Sequence, residues 1–136
     1  MASIPLLGSL KNVLFVDAAT CAACGALMAF GTGPVAAATA IPASLLFYAG
    51  LSLFPIAAFM AFAGARVERV PVLAWLAAGG NVLWVLASFG LLVGRAIAPN
   101  MLGELFVIGQ AAVVAALALL EMKGARAAGA QRPVAA

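Results

Sequence analysis

Four long apolar stretches, residues 13–30, 43–64, 72–93 and 101–122, account for most of this chain. A helix needs about 20 apolar residues to cross a hydrocarbon core of about 30 Å. Each stretch has that length and is apolar around its whole circumference, the pattern of a helix with lipid on one side and protein on the other. The alternating pattern of a membrane β-barrel is absent. Only 8% of the 136 residues are charged, against about a quarter in a soluble domain. That excludes a soluble enzyme, a nucleic-acid-binding domain and a disordered chain. The expected fold is all-α, a polytopic transmembrane bundle of four helices spanning 13–122. A short N-terminal segment (1–12) precedes it and a basic tail (123–136), expected to be mobile, follows.

The connections carry breakers. Gly31-Thr32-Gly33-Pro34 follows the first span, and Ile41-Pro42 precedes the second. A charged loop, Ala65-Arg66-Val67-Glu68-Arg69-Val70-Pro71, joins spans two and three. Asn100 has the chemistry of an N-cap for span four. Lys11, Arg66, Arg69, Lys123, Arg126 and Arg132 fall on one side of the membrane and Arg95 on the other. This asymmetry places both termini in the cytoplasm of a multi-pass protein of a bacterial inner membrane. Lys11 and the apolar run behind it also have the look of a signal peptide, which Asp17 disfavours.

Asp17 is the sharpest chemical feature, because a carboxylate inside a span is costly unless paired or hydrated. Counted from residue 13 it lies about 6 Å in. At that depth it could pair with Arg66 or Arg69, bind a proton or cation, or contact a partner. Thr20, Cys21 and Cys24 follow on the same helical face. Cys21 and Cys24 form a C-x-x-C, a weak redox candidate, since apolar surroundings oppose the thiolate. Asn81 and Gln110 sit at mid-depth in spans three and four, and each amide needs a partner. They are candidates to bond each other or to line a polar path with Asp17. Trp84 shares the face of Asn81 and is deeper than an interfacial belt requires. Pro55, in mid-span two, should kink that helix. Gly90 and Gly94 have the G-x-x-x-G spacing of close helix packing. Glu104 and Glu121 are read as solvated at span ends.

The chain has no histidine, which excludes histidine-ligated haem, a histidine zinc site and a Ser-His-Asp triad. No catalytic residue, metal or cofactor is implied. The chain resembles a loose class of short bacterial four-span membrane proteins of uncharacterised function. The resemblance rests on Asp17, the stretch Leu53-Phe54-Pro55-Ile56-Ala57-Ala58-Phe59, the stretch from Asn81 through Trp84 to Ser88, and Gly103 with Phe106-Val107-Ile108-Gly109-Gln110. It implies the architecture and no activity. The expectation is a non-enzymatic accessory or assembly subunit, or a homo-oligomeric component. Its partners would be the lipid bilayer and either another copy or a larger membrane complex, with no nucleic acid. The alternatives are a small ion or solute transporter using Asp17 with Asn81 and Gln110, and a thiol oxidoreductase at Cys21 and Cys24.

Overall fold

The computed structural model describes the backbone of residues 3–130 and the side chains of residues 9–129. Five helices follow in order: α1 (Ser3–Phe30), α2 (Thr32–Thr39), α3 (Ala43–Arg66), α4 (Val72–Val93) and α5 (Met101–Ala130). Among the described residues there is no strand. Four helices are long and apolar enough to cross a membrane: Ser9–Phe30, Ala43–Arg66, Val72–Val93 and Met101–Gly129. The protein is thus a multi-pass helical bundle.

Two span limits differ from the sequence expectation. Span one begins at Ser9, earlier than residue 13, and span four runs on to Gly129, past residue 122. Lys11, Lys123 and Arg126 do not end their helices. Lys and Arg are good helix formers, and their stems can lie along apolar surface while the charge reaches water. The Arg126 guanidinium accordingly lies over the Trp75 ring, 5.9 Å from its centroid. Residues 123–130 of the expected mobile tail are therefore helical, while 131–136 lie outside the described residues.

The breaker Gly31-Thr32-Gly33-Pro34 does end α1, but it also opens the short α2. Pro34 is tolerated there because its missing N–H belongs to a first turn, where those groups have no helical partner. Ala40 closes α2 with φ 59°, and its N–H bonds Ala36 O. Asn100 caps α5 as expected, its Oδ1 accepting from Gly103 N–H at 2.9 Å. It also ties the two loops together. Its backbone N–H donates to Thr39 O at 3.0 Å and its Nδ2 to Ala38 O at 2.8 Å. Gly103 is needed here because a Cβ would strike Thr39 O.

Packing runs in pairs. α1 packs most extensively on α3, α4 on α5, and α1 on α5 joins the pairs. The α1–α3 contact is close because Gly25 and Gly50 face each other. A Cβ on Gly50 would lie 2.7 Å from Ala29 N, and one on Gly25 2.9 Å from Gly50 O. Helices in lipid rely on such small-residue approach, since lipid supplies no hydrophobic drive between them. α3 and α4 are consecutive yet share little contact, so a seam separates them.

Candidate functional site: a buried acid pair beside apolar cavities

Three polar side chains from three helices meet inside the bundle. Asp17 comes from α1, Asn81 from α4 and Glu121 from α5, and all are buried, Asp17 to 1% exposure and Glu121 to 0%. Asn81 Nδ2 donates to Asp17 Oδ2 at 2.6 Å and to Glu121 Oε1 at 2.8 Å. Both amide hydrogens are thereby used. The Cys21 thiol donates to Asp17 Oδ1 at 3.5 Å. Among the described residues no donor reaches Glu121 Oε2.

The extended spans explain the meeting. At 1.5 Å per residue, Asp17 lies about 12 Å from Ser9, Asn81 about 14 Å from Val72 and Glu121 about 12 Å from Gly129. All three approach from the same end of the bundle, here called the α3–α4 end after its turn. They reach one level of the bundle, well inside the apolar spans. Asp17 is thus deeper than its position after residue 13 implied.

Several expectations change with this. Glu121 is fully buried, not solvated, because α5 continues for more than two turns beyond it. Glu104, by contrast, is exposed as expected. Asn81 and Gln110 do not bond each other. Gln110 instead accepts from Trp84 Nε1–H at 2.7 Å and donates to Ser88 Oγ at 3.0 Å and Val107 O at 2.8 Å. Along α5 it lies three turns from Glu121, so it meets the Trp84–Ser88 turn of α4 rather than Asn81. Arg66 does not neutralise Asp17, and its guanidinium lies 5.8 Å from the Phe62 ring centroid.

Three cavities adjoin the polar centre, of about 280, 220 and 200 Å³. Trp84 lines all three. The first is bounded by α3 and α4, with Asn81 and Cys21 at its inner wall and the exposed Pro55, Leu76 and Gly80 at its rim. It therefore opens at the α3–α4 seam, on the membrane-facing surface. The second carries Asp17, Thr20, Cys21, Cys24 and Gln110 in an otherwise apolar wall. The third continues past Gln110 and Ser88 to Ile97 and Ile41. Shared lining residues make one row from the acid pair towards the α2 end.

The remaining sequence candidates take their places around this row. Cys21 and Cys24 are free thiols, the first buried. Pro55 lies within α3, which continues through it. Gly94 ends α4, and a Cβ there would sit 2.8 Å from Gly90 O. Gly90 has nothing within 4 Å of where a Cβ would stand, so it packs no neighbour within this chain. Among the described residues no group of three metal-ligating side chains is present.

These features define a class: a four-span membrane bundle with a buried carboxyl pair and a cavity open to the membrane face. No protein-family model, curated protein or solved structure matches the chain.

Proposed function

We propose that this protein is a small membrane transporter whose carboxyl pair binds a proton and carries it across the membrane. It would lie in a bacterial inner membrane with both ends cytoplasmic, as the lysine and arginine bias supports. One observation carries the reading: two fully buried carboxyls share a single amide donor, and among the described residues no donor reaches Glu121 Oε2. Since both bonded oxygens touch Asn81 Nδ2, they stand no more than about 5.4 Å apart, close enough for one positive charge to be held by both. Neither carboxyl has a lysine or arginine among its hydrogen-bond partners. A centre of this kind takes up positive charge, and intramembrane acids that do so mark ion and proton paths. Gln110 belongs to the path rather than to the centre, one step along the row of cavities.

The test is proton flux into liposomes under an imposed potential, followed with an internal pH dye. The native protein should carry protons, and Asp17→Asn and Glu121→Gln should each cut the rate at least about tenfold, as expected for loss of an obligatory proton carrier. Equal rates in all three, or none in any, would end the proposal.

A second reading, a homo-oligomeric or accessory component, is supported by Gly90. Its small face is unused within the chain and open to another helix. Crosslinking a Gly90→Cys variant in native membranes tests it. Self-crosslinked dimers are the expected product, and monomer alone would reject it.

A further inference from the structure

We propose that the cavity row is a binding site for a lipophilic organic monocation, which enters from the membrane face and displaces a proton from the acid pair. This rests on reading Asp17 and Glu121 as the positive-charge-binding centre, and it names the occupant.

Four observations select that chemistry. First, the wall is almost wholly apolar, and α3 contributes only apolar side chains such as Leu53, Ile56, Phe59 and Met60. An inorganic ion would be stripped of water there without enough oxygens in return, since even a small divalent ion requires about six. An organic cation carries its own apolar substituents and loses little. Second, the cavities together fall within the ~300–1,000 Å³ that holds a drug-sized ligand. Third, the rim lies at the α3–α4 seam on the membrane surface, so a ligand dissolved in the bilayer reaches it without crossing water. Fourth, Trp84 lines all three cavities of the row, and an aromatic face attracts a cation through its ring quadrupole.

Charge sets the stoichiometry. The titratable groups facing the site are Asp17, Cys21 and Cys24 from α1 and Glu121 from α5. α4 presents Asn81, Trp84 and Ser88, and α3 presents no titratable group. No lysine or arginine lines these cavities. One cation enters and one proton leaves to water, so the net charge of the buried centre is unchanged. A neutral compound of similar shape gains nothing from the acids.

Equilibrium dialysis of the purified full chain in detergent against tetraphenylphosphonium tests this, beside neutral triphenylphosphine oxide. The expected result is saturable binding of the cation, preferred over the neutral compound by at least about tenfold. Affinity should rise with pH, by up to about tenfold per unit, with proton release seen in weakly buffered solution. Glu121→Gln should abolish the pH dependence. Should that variant misfold, Gly109→Leu serves. Gly109 lines the second cavity and has open space at its Cβ position, so a leucine fills the site and should remove binding. Equal binding of both compounds, pH-independent binding by the native chain, or binding undiminished in Gly109→Leu would overturn the inference. Proton flux in liposomes without phosphonium binding rejects this inference alone. Phosphonium binding without flux rejects the transport reading alone.

Discussion

The two ends of the bundle are built from the same apolar alphabet and packed to opposite effect. At the α3–α4 end, Leu10, Leu14, Met60, Ala63, Val67, Ala74, Ala77 and Ala125 form a core in which most residues are exposed by 2% or less. Towards the α2 end, Cys21, Met28, Leu53, Ile97 and Val107 form a second core; the second and third cavities run through it, and the first reaches from it to Phe59 and Met60 at the edge of the sealed core. The difference lies in side-chain size. Alanines at 63, 74, 77 and 125 bring four helices together so closely that leucine and valine fill the gaps. Around Trp84 the Gln110 and Ser88 bond ties α4 to α5, the indole ring stands between that pair and α1 and α3, and the smaller side chains do not fill the remainder. The acid pair sits at the junction. One face of it is sealed and the other is approached by a cavity that opens at the α3–α4 seam.

The largest expected effect comes from the junction itself. Asn81→Leu removes the only amide that serves both carboxyls. Leaving buried acceptors unpaired costs about 1–3 kcal/mol each, more if charged. A loss of about 3 kcal/mol is expected in reversible unfolding from mixed micelles. The double variant Asn81→Leu with Glu121→Leu should recover about half, since one orphaned group is gone. A stability equal to the native chain would mean that the three side chains do not form one unit.

Next come paired insertions that set the two ends against each other. Ala77 is fully buried in the sealed core, and Ala77→Leu adds three heavy atoms where there is no void. Overpacking of this sort costs about 1–3 kcal/mol. Gly80→Leu, one turn along the same helix, enters the first cavity, where nothing lies within 4 Å of a Cβ. It should cost under about 0.5 kcal/mol and gain from glycine's poor helix propensity. If both variants lose equal stability, the contrast between the ends is wrong.

Thiol labelling gives a smaller but direct reading. Both thiols line the second cavity, but Cys24 is partly exposed, whereas Cys21 is buried and donates to Asp17. A membrane-permeant methanethiosulfonate should modify Cys24 at least about tenfold faster, since reaction follows thiolate access. An Ala63→Cys variant at the sealed end should stay unmodified. Rapid modification at position 63 would place a cavity where the bundle is closed.

Much of the fold was legible in the sequence because apolar length and breakers are local signals. The four spans, the charged α3–α4 turn, the Asn100 cap and the all-α class all follow from them. The site was half legible. Asp17 and Asn81 stood out as polar groups in apolar runs, and both are buried in the bundle. Glu121 did not, because Met122 and Lys123 looked like the end of a span. A lysine one turn from the interface can reach water and leave its helix intact, so it marks a boundary only loosely. The same ambiguity at Lys11 made Asp17 look shallow. Gly25 and Gly50 carried no spacing motif, since they pack across two helices rather than along one. Conversely, the Gly90–Gly94 spacing was visible and is unused within the chain.

The smallest effect tests whether the polar groups in the open half hold it open. Trp84→Phe keeps most of the ring and removes Nε1–H, leaving Gln110 Oε1 without its donor. Interhelical hydrogen bonds in membranes average about 0.6 kcal/mol, so the loss should be of that size, well below that at Asn81. The decisive reading is volume rather than stability. A phenylalanine is smaller than tryptophan, and Gln110 is still held by Ser88 Oγ and Val107 O. The helices should therefore stay apart and the cavity should widen. Binding of a bulkier phosphonium should then improve relative to tetraphenylphosphonium. If instead the variant loses binding of both and gains stability, the open half has collapsed into a core like the sealed one. In that case the tryptophan, rather than the backbone, sets the difference between the two ends.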